Sequence, residues 1–209
     1  MEFFDRLEAV RAEWNVLEHP FYQRWSRGEL DREELAFYAG EYRHAVIALA
    51  EATEAAARAS EPEVRAELAE HAAEEAAHVD MWDEFAFALE AESDRAPLPE
   101  TGECTDAWTA GEDMLEGLVT LYTIESGQSA ISRTKLEGLL ERYEFEEGPA
   151  TEYFALHAER DVEHAAHSRK LIEERLEGAD EDRLLAVAEC ALRGNWRLLD
   201  GVDRASRKG

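Results

Sequence analysis

Three residues in the segment ALHAERDVEHAAH are of types that can share a cation: His157, Asp161 and His164. Their i, i+4, i+7 spacing puts all three on one stripe of a helix, which turns about 100° per residue. Burying imidazoles and a carboxylate is costly unless they are paired or coordinate a cation. The same pattern also arises on a solvated, charge-rich helix face, so partners on other helices must decide between the two readings. Glu125, in LYTIESGQS, follows the apolar run Leu118, Val119, Leu121, Tyr122 and Ile124 and is expected to point inward or to sit at a kink. A metal would keep such a buried carboxylate ionised against desolvation. His78, in EHAAEEAAHVDMW, shares a helix face with Leu68, Glu75, Trp82 and Phe85. Glu74 and Glu75 precede it by four and three residues, and Glu-x-x-His recurs in di-iron helical bundles. Carboxylates and imidazoles without a thiolate suit iron or manganese, and zinc is also compatible. For each stretch taken alone the competing reading is ordinary: a surface acid, or a core histidine satisfied by a hydrogen bond.

The elements that must position these groups are helical. A first helix is expected over 2–15, followed by a break at Glu18-His19-Pro20 and an aromatic turn, FYQRWSRG, ending at Gly28. Asp31 and Glu34 have capping-box spacing and open a helix running to about 59. Ser60, Pro62 and Glu63 start the next, over 62–92. The stretch 93–106, SDRAPLPETGECTD, is expected to be a connecting loop. A helix follows over 108–126, with a kink or break at Gly127 and a continuation through Arg142. After the EFEEGPAT loop come helices over 149–177 and 180–206, the last with apolar residues returning every three or four positions. The expectation is one all-α domain spanning 1–209.

Composition narrows the partners. Against 49 acidic residues stand 22 basic ones, a net charge of -27, and only Lys135, Lys170 and Lys208 are lysines. A polyanion is repelled by such a surface, so neither nucleic acid nor an anionic membrane is an expected partner. Forty-five per cent hydrophobic residues and strong helical periodicity argue against disorder. An acidic, lysine-poor surface fits a protein kept soluble in concentrated salt, where self-repulsion is screened. Two cysteines, Cys104 and Cys190, are too few for a disulfide framework. The acidic, amphipathic N-terminus does not read as a signal peptide, and no stretch reaches the roughly 18 apolar residues of a membrane span. A cytoplasmic protein is therefore expected, and apolar area on outer helices would support a homodimer.

LYTIESGQSAISRTKLEGL followed by EYFALHAERDVEHA, together with HPFYQRWSRGELDREELAFYAGEY and HVDMWDEFAFAL, resembles the TenA/PqqC-like, haem-oxygenase-like superfamily over most of 18–175. The resemblance is nearest to its dimetal-oxidase branch, that of the chlamydial protein associating with death domains. It implies a haem-oxygenase-like bundle of about seven helices. It also implies two transition metals (Fe/Fe or Fe/Mn) with dioxygen as co-substrate, held by His78, Glu125, His157, Asp161, His164 and a glutamate of the first ligand helix. That branch places its first glutamate seven residues before the histidine, where this chain has His71. Glu74 is matched through the Glu-Glu pair, with Glu75 and His71 as alternates.

The branch makes 4-aminobenzoate, for folate synthesis, from a tyrosine of its own chain. Tyr22 matches the sacrificed tyrosine and Lys135 the lysine implicated as amino donor, with Tyr38 and Tyr42 placed to relay an electron or to pack. Three alternatives stay open: oxidation of an external small molecule, TenA-type hydrolysis of thiamine breakdown products, and a non-enzymatic helical interaction protein. The hydrolase reading needs a cysteine nucleophile, and neither cysteine matches the motif.

Overall fold

The computed structural model describes residues 2–207, apart from the side chains of 161–163. Among the described residues there are eight α-helices, one 3-10 turn and no strand, slightly more than the seven or so helices expected. The long elements follow their sequence signals. α3 (Arg32–Ala59) opens on the Asp31/Glu34 capping box, in which Asp31 accepts from the Glu34 amide and Glu34 from the Asp31 amide. α4 (Pro62–Ala88) carries Pro62 in its first turn, where a missing N–H costs nothing. α7 (Pro149–Glu173) and α8 (Glu181–Ser206) complete the bundle.

Three expectations are corrected. The aromatic turn is a helix, α2 (Pro20–Arg27): His19 Nδ1 accepts from the Phe21 amide, Pro20 sits at the first position, and Gly28 ends it at φ 69°. The loop expected over 93–106 becomes helical from Pro99, as α5 (Pro99–Thr109). Its own composition is poor for helix, and tertiary contacts hold it. Thr101 Oγ1 donates to buried Glu41 (2.5 Å), Leu98 N donates to the same carboxylate (3.0 Å), and Trp108 Nε1 donates to Ala191 O (3.0 Å). Finally, α6 (Met114–Arg142) runs through Gly127 without a break, its N-terminus capped by Asp113. α1 (Phe3–Glu13) packs across α8 and leads into the 3-10 turn, Val16–Glu18.

α3 pairs with α4, α6 with α7, and α5 with α8. The interior formed by α3, α4, α6 and α7 is where the chemistry-bearing residues meet, because α4 also packs on α7 and α3 on α6. Its aromatic part is dense: Trp25, Trp82, Phe85, Tyr38, Tyr153 and Phe154 are all almost completely buried.

Candidate metal centre

Two adjoining sets of side chains offer ligand atoms within 4.8 Å of one another: His71, Glu75, Glu125 and His164, and then Glu75, His78 and His157. Glu75 belongs to both. α4 supplies His71, Glu75 and His78, one turn apart along a single face; α6 supplies Glu125; α7 supplies His157 and His164. Imidazole pairs lie across the α4–α7 contact, His71 with His164 at 4.1 Å between ring centroids and His78 with His157 at 4.4 Å.

Glu125 is the group most in need of a cation. It is buried, and neither carboxylate oxygen has a hydrogen-bond partner, although His71 Nε2 stands 3.0 Å from Oε1. Desolvation pushes its pKa up against the pull of His71. Glu75 behaves differently. Burial disfavours its charge, but His78, 3.1 Å away, and the His157 and His71 imidazoles outweigh that and hold it below the usual carboxylate range. Burial lowers the pKa of His157 to about 4 despite the nearby Glu75, so this imidazole is neutral and able to ligate. Its Nδ1 is 2.7 Å from Tyr153 O and so carries the proton, leaving Nε2 buried and unpartnered. His164 has the complementary arrangement, with Nε2 bonded to Glu74 Oε2 (3.1 Å) and Nδ1 buried without a partner. Six side-chain atoms on five residues are thus left without hydrogen-bond partners across the two sets, which is what a metal-ligating set presents when no ion is counted.

The structure places Glu75, not Glu74, among these groups. One residue is 100° of helix, so only one of the two neighbours can face inward. Glu74 is about a third exposed, shared between Arg160 and His164, and its contribution is to orient His164 from outside. His71 stands inside the set. The Asp161 side chain lies outside the described residues.

The tyrosines and Lys135 form a second cluster. Tyr22 and Tyr38 share a hydrogen bond of 2.9 Å between their hydroxyls. Lys135 Nζ lies 4.5 Å from the Tyr42 ring centroid, 5.1 Å from Tyr22 and 5.4 Å from Tyr38, with Trp82 and Phe154 just beyond. The amine is 1% exposed and has no hydrogen-bond partner, and desolvation lowers its pKa to about 7. Burial pushes the Tyr22 and Tyr38 phenols well up. A run of rings joins the two clusters: Tyr153 stacks on His157 at 4.0 Å, Trp82 meets Tyr153 at 4.9 Å, and Tyr42 meets Trp82 at 5.1 Å. Sequence reasoning did not single out Tyr153 or Trp82 as site residues. Tyr153 lies one helical turn before His157, and that spacing was the available signal.

The chain matches the TENA/THI-4/PQQC family over residues 7–194. It is 32% identical over 212 residues to a protein of Chlamydia muridarum (strain MoPn / Nigg) named 4-aminobenzoate synthase, covering 96% of this chain and 89% of the relative. Two solved structures share its fold. One, a Shewanella denitrificans domain of unknown function with a heme oxygenase-like fold, aligns with a TM-score of 0.80 at 19% identity over 99% of this chain and 94% of the other. The second, a TenA homolog from Pseudomonas syringae, gives 0.83 at 16% identity over 97% and 91%.

Proposed function

Because this chain belongs to the TENA/THI-4/PQQC family, with a relative named 4-aminobenzoate synthase, we propose that it is a dioxygen-using dimetal oxidase that forms 4-aminobenzoate from its own Tyr22. The observation that carries this reading is Lys135: a buried amine without a hydrogen-bond partner, 5.1 Å from the Tyr22 ring, beside a cluster of unpartnered imidazoles and carboxylates.

His71, Glu75, Glu125 and His164 would hold one ion and Glu75, His78 and His157 the other, with Glu75 common to both; the family resemblance adds Asp161 of the His-x3-Asp-x2-His segment as a further ligand. The donor set suits iron or manganese. When bound, the metal pair supplies the oxidising equivalents from dioxygen. What the protein contributes is placement and proton control. Tyr153 fixes the His157 tautomer through its carbonyl, and Glu74 fixes the orientation of His164. Tyr38 is the hydroxyl partner of Tyr22, able to exchange its proton as the phenol is oxidised. The aromatic surroundings hold Lys135 as a substantial fraction of free amine near neutral pH, the form with a lone pair to offer the ring. They also exclude water from both groups.

Among the alternatives, hydrolysis by a cysteine nucleophile is disfavoured by Cys104, whose thiol is buried and pushed far above its ordinary pKa by that burial. The deciding experiment supplies anaerobically purified, iron- and manganese-loaded protein with dioxygen and a reductant, and measures 4-aminobenzoate and intact mass. The proposal expects no more than about one equivalent of product per chain, loss of mass at Tyr22, and no product from Tyr22→Phe. Sustained product formation by Tyr22→Phe would move the reading to oxidation of an external substrate.

A further inference from the structure

A cavity of about 310 Å³ lies on the other side of α6 from the metal-centre residues, between α1, the 3-10 turn, α5, α6 and α8. α6 lines it with Thr123, Ile124, Ser126, Gly127, Ala130 and Ile131, which at 100° per residue sit between about 100° and 260° around the helix from Glu125. None of the cluster residues borders it. Its size is at the lower end of small-molecule pockets.

The lining has an unusual polarity. Its walls are apolar and aromatic, with Trp14, Trp108 and Ile124 prominent, and Trp108 presents only its ring because its N–H is spent on Ala191 O. Yet four lining side chains hold polar atoms that are buried and without hydrogen-bond partners. These are Thr123 Oγ1 and Asn195 Oδ1, on residues 1% and 8% exposed, together with Trp14 Nε1 and Arg11 Nε. Arg11 is partly neutralised by Glu8, 3.1 Å from Nη2, but that contact leaves Nε unused. Buried polar groups are normally paired, and several unpartnered ones on the residues around one apolar cavity point to the polarity of a ligand.

We propose that this cavity binds a small aromatic carboxylate. Arg11 Nε, the Trp14 indole N–H and the Thr123 hydroxyl are donors for a carboxylate; the indole rings and Ile124 suit a flat ring; and Asn195 Oδ1 is an acceptor for an amino or hydroxyl substituent on it. A cation is a poor occupant, because the unpartnered donors outnumber the one unpartnered acceptor and the carboxylate of Glu8, which also lines the cavity, is already taken up by Arg11 (3.1 Å) and the Tyr122 hydroxyl (3.3 Å). The site stands independently of the dimetal reading, although an aminobenzoate meets all of its requirements and would make it a product-binding site.

The test is a titration of metal-free protein with indole-15N-labelled tryptophan, using 4-aminobenzoate, benzoate and aniline as probes. Saturable shifts of the Trp14 and Trp108 indole signals by the two acids at millimolar concentrations or below are expected, with aniline at least about tenfold weaker. Arg11→Gln and the isosteric Thr123→Val should each weaken acid binding several-fold, and Tyr22→Phe should leave it unchanged. The last arm separates this site from the proposed reaction: Tyr22→Phe ends the reaction if that reading is right, and does not touch this cavity. The proposal is overturned if neither acid gives a saturable shift, if Arg11→Gln and Thr123→Val bind as wild type does, or if Trp25 and Trp82 respond instead.

Discussion

Lys135 is a lysine without water. Its pKa, lowered by desolvation to about 7, lies well below the 10.5 of the exposed side chain. Below pH 7 both folded and unfolded chains carry the charge and the whole burial penalty is present. Between about 7 and 10.5 the unfolded chain binds a proton that the folded one does not, so stability rises with pH and the penalty is gone above that window. At roughly 1.4 kcal/mol per pH unit the penalty amounts to several kcal/mol. Lys135→Met should therefore stabilise metal-free protein at pH 7 by a few kcal/mol, and urea unfolding should show that advantage shrinking towards pH 10. An advantage independent of pH over this range would mean that the folded amine keeps its proton as the unfolded one does, held by a partner.

The same residue-level logic separates neighbours on α4. Glu75→Gln and His157→Ala are expected to lower the metal content from near two ions per chain, as read by elemental analysis, whereas Glu74→Gln should keep most of it. Equal losses from Glu74→Gln and Glu75→Gln would contradict the inward placement of Glu75. From sequence, α4 offered two adjacent glutamates: periodicity put Glu75 on the face of Leu68, Trp82 and Phe85, whereas matching the Glu-Glu pair to the family pointed to Glu74. Which one faces α6 and α7 depends on the rotation of the helix, and that is set by Leu68, Trp82 and Phe85 finding the core.

At the scale of elements, two positions show how α6 and α3 present their residues. Gly138 lets α6 approach α2: an added Cβ there would stand 2.5 Å from Trp25 Nε1, the group that donates to Lys135 O. Gly138→Ala should cost about 1–3 kcal/mol in chemical denaturation, since the indole is fully buried and has nowhere to move. Asp31→Ala should cost about 1 kcal/mol by removing half of the capping box of α3. It would leave the pairing of Glu34 with Arg24 (2.5 Å) in place, so the loss should stay well below that of Gly138→Ala. The starts of α3, α4 and α8 were legible because caps and prolines are local signals. α5 was not, since its helix depends on Glu41 and on Ala191 of α8, 60 and 83 residues away in sequence.

At the scale of the molecule, a net charge of -27 dominates the long-range electrostatics. Arginines relieve it locally, as in Arg24 with Glu34 and Asp203 or Arg43 with Asp83, but most acids face solvent without a cation to match. Self-repulsion reaches about 10 Å at 0.1 M salt and about 3 Å at 1 M. The thermal midpoint should therefore rise as sodium chloride is increased from low ionic strength towards 1 M; a midpoint that falls over this range would show that the arginine pairs, weakened by salt, matter more than the excess charge. No described helix is long and apolar enough to cross a membrane.

Sequence by itself determined the all-helical class, the long helices and the grouping of imidazoles and carboxylates on α4, α6 and α7. Those properties are carried by composition, by 3.6-residue periodicity and by short-range caps, all of which are written locally. Tertiary structure alone decided that Glu75 is shared between two sets of ligand atoms, that His71 joins them, and that Lys135 is sealed under five aromatic rings. Each of these depends on how one helix is rotated against others far away in the chain, and rotation is settled by packing many side chains at once rather than by any residue's own preference.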